Sequence, residues 1–200
     1  MSWYGLFHFL FKMHYKFYYR VEIIDAYHVP KDGPVILCCN HTSNWDPPLL
    51  GVSCPRKIRY MAKEELFKIP VVGFLLRQFG TYPVQRGSGD RAAIRKTLEL
   101  LKENQVIGIF PEGTRSKTGE LGPGKPGAAM FALKSDAAVI PVAIVGSYKR
   151  LFGTIKIRFG QPIELESYRQ QKITSKQMEE VTQIIMDHIG RLIRQERSVS

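Results

Sequence analysis

The 200-residue sequence has few cysteines and no long apolar run. Its three cysteines are Cys38, Cys39 and Cys54. An odd number with two adjacent members does not suit a disulfide framework and favours a reducing compartment. The apolar run at residues 3–11 is interrupted and stops at a lysine, whereas a transmembrane helix needs about 20 apolar residues. No small-residue cleavage site follows residues 1–20, so we expect neither a cleaved signal peptide nor a membrane-spanning helix.

Acidic residues are outnumbered, because 18 Asp and Glu stand against 29 Lys and Arg, a formal net charge of +11. This charge favours an anionic partner such as nucleic acid, a phospholipid surface or a phosphorylated substrate. The first 20 residues contain nine aromatic residues and no acid. His8, Lys12, Lys16 and Arg20 follow at four-residue spacing, which on a helix makes one polar stripe. We predict that residues 1–20 form an amphipathic helix on a membrane surface; a helix packed on the core is the alternative.

The rest of the sequence, residues 21–200, alternates short β-like runs with helix-like runs and shows no internal repeat. This alternation predicts one layered α/β domain with a mostly parallel central sheet flanked by helices. The seven predicted strands are Val21–Asp25, Val35–Asn40, Ile58–Met61, Thr81–Val84, Val106–Phe110, Val139–Val145 and Thr154–Phe159. The five predicted helices of this part are Pro47–Val52, Val72–Phe79, Asp90–Asn104, Gly127–Leu133 and Lys176–Arg197.

A polar segment, residues 40–46, follows the apolar run that we predict as the second strand. Ligands of α/β folds bind where strands end and feed into helices, so His41 is expected at such an edge. Histidine is a natural general base near neutral pH, and Asp46 is a candidate partner to orient it. The alternatives are that Asp46 caps the helix that begins at Pro47, and that His41 is a loop residue without a role.

A second polar segment, residues 110–116, follows another buried strand. Gly113 permits a close approach of the backbone to a ligand. Thr114 and Arg115 are residue types that contact phosphate, and arginine can bind it with two parallel hydrogen bonds. Glu112 is a candidate to bind a substrate hydroxyl or to fix Arg115. The alternative is an ordinary surface turn closed by an ion pair between Glu112 and Arg115.

Other chemical patterns are incomplete. Residues 119–125 match most of a phosphate-binding P-loop, but Pro126 stands where serine or threonine should coordinate Mg²⁺. We therefore interpret Lys125 as part of the turn before a core helix. The cysteines and His41 do not have zinc-site spacing, so no metal site is expected. No Gly-x-Ser-x-Gly motif is present, which argues against a serine hydrolase.

Five segments occur in an order that resembles a known family. They are residues 41–46, 63–66, 84–86, 110–116 and 139–142. Together they resemble the four motif blocks of the glycerolipid acyltransferase family, specifically the 1-acyl-sn-glycerol-3-phosphate acyltransferases, over residues 34–147. The joint pattern is highly specific, although each block alone is not.

The resemblance implies a role for each matching residue. His41 would be the general base and Asp46 its orienting partner. The residues implied to bind the glycerol-phosphate acceptor are Lys63, Arg86, Glu112, Gly113, Thr114 and Arg115. Pro141 would lie in the block on the acyl-donor side. One departure is Gln85, where the family often has an acidic or aromatic residue, and this leaves the choice of acceptor open.

The resemblance also implies the reaction. A fatty acyl group would pass from acyl-CoA or acyl carrier protein to the sn-2 hydroxyl of lysophosphatidic acid, giving phosphatidic acid in phospholipid biosynthesis. Neither a cofactor nor a covalent intermediate is implied. The expected partners are lysophosphatidic acid, the acyl donor and a phospholipid surface, without nucleic acid. We expect a monotopic or peripheral protein at the cytoplasmic face of the cell membrane. Alternatives are another glycerophosphate or lysolipid acceptor, or a non-enzymatic basic protein that binds membranes or nucleic acid.

Overall fold

The computed structural model of the protein describes residues 3–85, 90–147 and 153–198, and its centre is one seven-stranded sheet. The strands are β1 (Arg20–Ile24), β2 (Val35–Cys39), β3 (Ile58–Lys63), β4 (Tyr82–Val84), β5 (Val106–Ile109), β6 (Ala138–Val145) and β7 (Thr154–Phe159). Their order across the sheet is β1-β7-β6-β2-β5-β3-β4. All neighbouring pairs are parallel except β6 and β7. The predicted α/β fold with a mostly parallel sheet is therefore confirmed.

Helices flank the sheet in the predicted places. They are α1 (Trp3–Tyr18), α2 (Asp46–Ser53), α3 (Pro70–Gln78), α4 (Arg91–Lys102), α5 (Gly127–Leu133), α6 (Glu166–Arg169) and α7 (Ser175–Ser198). Two short 3-10 turns at Ala26–His28 and Glu64–Lys68 complete the described elements. The two turns and the four-residue α6 were not predicted, because single turns are too short to show a helical pattern. In the part of the chain that the structure describes, no helix is long and apolar enough to cross a membrane.

The centre of the sheet is buried on both faces, and β2 shows how. Ile36 and Cys38 point into a core cluster that includes residues of α5 and α7. Val35, Leu37 and Cys39 point to the opposite cluster, which includes residues of α2. Successive side chains of a strand alternate between faces, so a strand covered on both sides must be apolar throughout. This explains the uninterrupted apolar run of β2 and the burial of its two cysteines.

The parallel order of three central strands sets the position of the polar segments. β2 lies beside β5, with Cys38 opposite Ile109, so both strands end at the same edge of the sheet. β3 lies on the other side of β5 and is also parallel to it. The segments that follow these three strands therefore leave the sheet side by side. Residues 40–46, Lys63 and residues 110–116 are brought to one edge in this way.

Candidate active site

His41 and Asp46 form a hydrogen-bonded pair at this edge. The Nδ1 atom of His41 lies 3.0 Å from Oδ2 of Asp46. The same carboxylate oxygen accepts main-chain hydrogen bonds from Thr42 at 2.6 Å and from Ser43 at 2.7 Å. The loop between the two residues thus turns back on the carboxylate. The Asp46 side chain is fully buried, whereas the His41 side chain keeps 16% of its surface exposed.

Asp46 does not act as the helix cap that was the alternative to a site role. It is the first residue of α2, and the capping position is Trp45, whose side chain makes no cap hydrogen bond. The carboxylate of Asp46 accepts from the loop that precedes the helix. Its other oxygen, Oδ1, is buried and has no hydrogen-bond partner among the described residues. The local fold therefore points this carboxylate toward the imidazole.

The loop after β5 is bonded to His41 on both sides of its main chain. The amide of His41 donates a 2.8 Å hydrogen bond to Oε1 of Glu112, and the carbonyl of His41 accepts one of 2.8 Å from the amide of Ser116. Oε2 of Glu112 accepts a further bond of 2.9 Å from the amide of Gly122. Glu112 is buried, and both of its oxygens bond main-chain amides. Arg115, the neighbour of Ser116, therefore lies in the same edge cluster as His41.

An aromatic ring supports the imidazole. The rings of His41 and Phe110 are stacked with their centroids 4.2 Å apart. Tyr60 of β3 in turn lies parallel to Phe110, with 6.3 Å between the centroids. The ring plane of His41 is thus set by Phe110, and one ring nitrogen is set by Asp46.

Asn40 joins the end of β2 to β6, a contact that the sequence did not identify. Its Oδ1 accepts a 2.8 Å hydrogen bond from the amide of Ile144, and its Nδ2 donates one of 2.9 Å to the carbonyl of Ile144. The buried side chain therefore continues the pairing of β2 with β6 for one residue beyond the strand. Its polarity at the end of an apolar strand was the available signal.

The residues expected on the acceptor differ in where they lie. Thr114 and Arg115 are exposed beside the His41 pair, and Lys63 is exposed at the end of β3. Within the described ranges neither Lys63 nor Arg115 forms an ion pair, so the turn-closing pair of Glu112 with Arg115 is not formed. Arg86 lies outside the described residues.

Two further sequence features are also located. Gln85, the departure from the family pattern, donates a 2.8 Å hydrogen bond from Nε2 to Oε2 of Glu64. Pro141 is buried within β6, opposite Cys38, and its ring packs against Gly160. Pro141 is therefore inside the sheet and not in the cluster around His41.

A mainly apolar cavity of about 380 Å³ adjoins the polar segment. Asn44 and Trp45, which lie between His41 and Asp46 in sequence, line one part of it. Much of the remaining wall comes from three helices and includes Phe11 of α1, Pro48 and Val52 of α2, and Leu75 and Leu76 of α3, and β3 adds Ile58 and Tyr60. The site thus combines a polar edge with an adjoining apolar space.

The three cysteine thiols are poor nucleophiles at neutral pH. Cys38 and Cys39 are fully buried, and burial raises the pKa of Cys38 to about 12 and that of Cys39 well above its usual value. Burial also raises the pKa of Cys54 to about 11. Because the thiolate is the nucleophilic form, these residues are unreactive core side chains at neutral pH.

Comparisons with known proteins match this fold and its motifs. Residues 20–145 match the family model described as Acyltransferase. The chain is 36% identical over 148 residues to a 1-acyl-sn-glycerol-3-phosphate acyltransferase of Bacillus subtilis, covering 72% of this chain and 73% of that protein. It is 31% identical over 166 residues to a lyso-ornithine lipid O-acyltransferase of Pseudomonas aeruginosa, covering 82% and 55% respectively.

A solved structure has the same fold. The 1-acyl-sn-glycerophosphate acyltransferase of Thermotoga maritima superimposes with a TM-score of 0.75, at 23% identity, over 96% of this chain and 79% of that one. The family model spans more than half of the sequence and contains His41, Asp46 and the segment 110–116. The resemblance that the motif blocks indicated is thereby confirmed, and the chain belongs to the acyltransferase family of enzymes.

Proposed function

We propose that the protein transfers a fatty acyl group from acyl-CoA or acyl carrier protein to the sn-2 hydroxyl of 1-acyl-sn-glycerol 3-phosphate, forming phosphatidic acid for phospholipid biosynthesis. The observation that carries this proposal is the 3.0 Å contact of His41 with Asp46, beside a loop that presents Arg115. The name of the 36% identical relative supports the same acceptor. The proposed reaction uses side chains and two substrates, and it needs no cofactor.

The hydrogen bonds of Asp46 support one tautomer of His41 in this proposal. Its Oδ2 already accepts two main-chain N–H groups, so it faces His41 as an acceptor too. A neutral imidazole then carries its hydrogen on Nδ1 and has its lone pair on Nε2. Nε2 is the atom that removes the proton of the acceptor hydroxyl, and Asp46 stabilises the imidazolium that results.

The acyl transfer follows from this proton transfer. As Nε2 takes the proton, the hydroxyl oxygen forms a bond with the thioester carbon and gives a tetrahedral oxyanion. The C–S bond then breaks, and the leaving thiolate recovers the proton from Nε2. The high pKa of the buried thiols of Cys38 and Cys54 argues against an acyl-enzyme on cysteine.

The cations at the edge supply the acceptor site in this proposal. Arg115 binds the phosphate of the acceptor through its planar fork, and Thr114 adds a hydroxyl donor. Lys63 joins them from the end of β3, and Arg86 is proposed by the family resemblance alone. Neither Lys63 nor Arg115 has an ion-pair partner in the described part of the chain, so their charges are available for an anion.

The apolar cavity suits an acyl chain. Asn44 and Trp45, which lie in the loop between His41 and Asp46, line it, so in this proposal an acyl chain in the cavity has its carbonyl end toward the imidazole. An aliphatic chain is stabilised in such a space by about 0.8 kcal/mol per buried methylene group. The cavity thus gives the proposed reaction a site for the fatty part of a substrate.

The exposed apolar surface supports a membrane-bound enzyme. α1 buries Tyr15 against the domain, with its hydroxyl donating to the carbonyl of Trp45 at 2.9 Å, but leaves Phe17 70% exposed. α3 is apolar on the face that lines the cavity and also on its outer face, where Val71 is 71% exposed and Phe74 is also exposed. An exposed apolar face needs an apolar environment, and a lipid surface provides one. Arg77, an exposed cation of α3, suits anionic headgroups beside this face.

The thiols support a proposal for the side of the membrane. The three cysteines of the chain are free, which suits a reducing compartment. We therefore expect a monotopic or peripheral enzyme at the cytoplasmic face. The division into a helix at residues 1–20 and a domain at residues 21–200 belongs to this proposal; α1 ends at Tyr18, and Arg20 is already the first residue of β1.

The decisive experiment is an acyl-transfer assay on liposomes. Lysophosphatidic acid is offered with acyl-CoA and, separately, with acyl carrier protein, and the product is identified by mass spectrometry. The His41→Ala variant should lose turnover by at least about 100-fold, because general-base catalysis contributes that much. His188→Ala on α7 is the matched control, since it removes a histidine outside the site. Equal rates for both variants would remove His41 from the mechanism.

A second acceptor is tested in the same assay. The 31% identity to a lyso-ornithine lipid O-acyltransferase favours including a lyso-ornithine lipid. Preferential acylation of that lipid would keep the acyltransferase mechanism and overturn the proposed acceptor. Vesicle binding without transfer to either acceptor would overturn the proposed activity.

A further inference from the structure

The loop that follows the second polar segment returns to it and brings Lys125 beside Gly113. The amide of Lys125 donates a 2.8 Å hydrogen bond to the carbonyl of Pro111, and Gly122 is bonded to Glu112. These two bonds tie the return of the loop to its start. Lys125 therefore lies next to residues 110–116, the segment that is hydrogen-bonded to the main chain of His41.

The side chain of Lys125 crosses the loop at Gly113. Gly113 has a φ of +68°, and a β-carbon placed there would lie 2.9 Å from Cδ and 3.2 Å from both Cε and Nζ of Lys125. The stem of the lysine thus occupies the space that any other residue at position 113 would need. The ammonium group is carried over the backbone between Glu112 and Thr114.

This ammonium has no counter-charge in the described part of the chain. Lys125 is exposed and forms no ion pair there. The oxygens of Glu112, the nearest acid in the loop, bond the amides of His41 and Gly122 instead. Arg115 lies two residues from Gly113 and also has no ion-pair partner in the described part of the chain. Lys125 and Arg115, two cations without an ion-pair partner there, therefore lie next to Gly113 and Thr114.

We propose that Lys125 is a further cation of the acceptor site, which binds the phosphate of the acceptor together with Arg115. This inference rests on the proposed function and names a residue that the motif blocks do not contain. A phosphate monoester near neutral pH carries nearly two negative charges, so cations that approach it from different loops can each compensate part of its charge. Arginine provides a directional fork, and lysine provides a compact point charge that can approach a different phosphate oxygen.

The test compares Lys125→Met and Lys125→Arg with a matched control, Lys134→Met, an exposed lysine at the end of α5. Acceptor kinetics are measured with lysophosphatidic acid in mixed micelles. Lys125→Met should raise the KM for the acceptor about tenfold, with kcat at saturating acceptor within about twofold, because one charge-assisted contact is lost. Lys125→Arg should keep most of the affinity, and Lys134→Met should match the parent.

A second readout does not require turnover. Glycerol 3-phosphate should raise the melting temperature of the parent and of Lys134→Met, because a ligand that binds the folded state stabilises it. The same ligand should raise that of Lys125→Met much less. Parental KM and parental protection in Lys125→Met would overturn the proposal. So would a lower melting temperature without ligand combined with an unchanged KM, since that result describes a structural turn residue.

The two readouts also separate this inference from the proposed function. If the parent does not acylate lysophosphatidic acid, the proposed function fails, and protection by glycerol 3-phosphate still decides whether Lys125 binds phosphate. If the parent is active but Lys125→Met behaves as Lys134→Met in both measurements, only the role of Lys125 fails.

Discussion

Glu112 and His41 are joined through the main chain, not through the imidazole. Oε1 of Glu112 accepts the amide hydrogen of His41 at 2.8 Å, and Oε2 accepts that of Gly122 at 2.9 Å. One buried carboxylate thus fixes the residue that carries the base to the loop that carries Arg115. We interpret Glu112 as a positioning residue, and its direct contact with the acceptor stays a prediction.

The first prediction concerns Glu112→Gln. Glutamine keeps one acceptor but turns an NH₂ group toward a main-chain N–H, so one buried hydrogen bond is lost and a donor is left unsatisfied. Bonds to charged groups contribute roughly 1.5–3 kcal/mol. We expect about 2 kcal/mol less stability in urea unfolding, with kcat lowered about tenfold because His41 shifts.

The control for this variant is Glu120→Gln. Glu120 is an exposed acid of the same loop, which forms an ion pair with Arg197. Exposed pairs contribute little, so its stability should change by less than about 1 kcal/mol. If Glu112→Gln kept parental stability and kcat but raised the KM for the acceptor, Glu112 would be a ligand of the substrate instead.

The second prediction concerns Asp46→Asn. The amide oxygen can still accept from Thr42 and Ser43, so the loop is kept, but a neutral group cannot stabilise the imidazolium of His41. We expect kcat to fall by at least about 100-fold with a KM near that of the parent. Circular dichroism should match the parent, and Asp136→Asn, an exposed acid before β6, should be as active as the parent. An active Asp46→Asn would show that the carboxylate is only structural.

Most of the fold was predictable because its signals are local. All seven strands are where the sequence predicts them, within one or two residues at their ends. The central strands β2, β5 and β6 are buried on both faces and leave apolar runs that the sequence shows directly. α3 begins at Pro70, earlier than predicted, because proline suits the first turn of a helix. The one-turn α6 gave no periodic signal. Boundaries and single turns were thus the features that the sequence did not specify.

The site was predictable only in part, because its contacts join distant segments. His41 and Asp46 are five residues apart, and a tight loop was enough to suggest their pairing. The bond from Glu112 to the amide of His41 depends on the pairing of β2 with β5, which residue types do not reveal. Lys125 was interpreted as a turn residue, and the contact with Gly113 appears only once the loop closes.

The third prediction uses that contact. Gly113→Ala places a side chain at a φ of +68° and against the stem of Lys125, and both effects destabilise the loop. The backbone strain alone is worth roughly 1–2 kcal/mol. Adding Lys125→Ala should remove the steric part and leave the strain, so the two substitutions should be non-additive by roughly 0.5 kcal/mol or more in unfolding experiments. Strict additivity would mean that the stem does not rest on Gly113.

The fourth prediction is a loss of stability at alkaline pH. Burial raises the pKa of Cys38 to about 12 and that of Cys54 to about 11, from an ordinary value of 9.0. Above that ordinary value the unfolded chain releases these protons while the folded chain keeps them. The free energy of unfolding is therefore unaffected by these thiols below pH 9. It falls as the pH rises toward the pKa values of the folded state, by about 1 kcal/mol per thiol at pH 10.

Urea unfolding at pH 8 and pH 10 measures this decline. Cys54→Ala should be less stable at both values but should lose less between them, because it has one fewer buried thiol. Thiol-specific reagents should modify the folded protein slowly at pH 8 and the unfolded protein at once. Rapid modification of the folded state with loss of activity would instead make a cysteine part of the mechanism.

The last prediction concerns the outer face of α3. Val71→Ser with Phe74→Ser removes two exposed apolar side chains and should leave the fold intact, since neither is buried. Losing their contact with lipid costs roughly 1.5 kcal/mol in total, so partitioning onto vesicles that contain phosphatidylglycerol should weaken about tenfold. Tyr27→Ser is the control, because Tyr27 is exposed on the 3-10 turn Ala26–His28, away from α3. Turnover with a micellar acceptor should stay near that of the parent, since the His41 pair is untouched. Parental vesicle binding together with a dimer that dissociates in the variant would assign this face to contacts between copies of the chain.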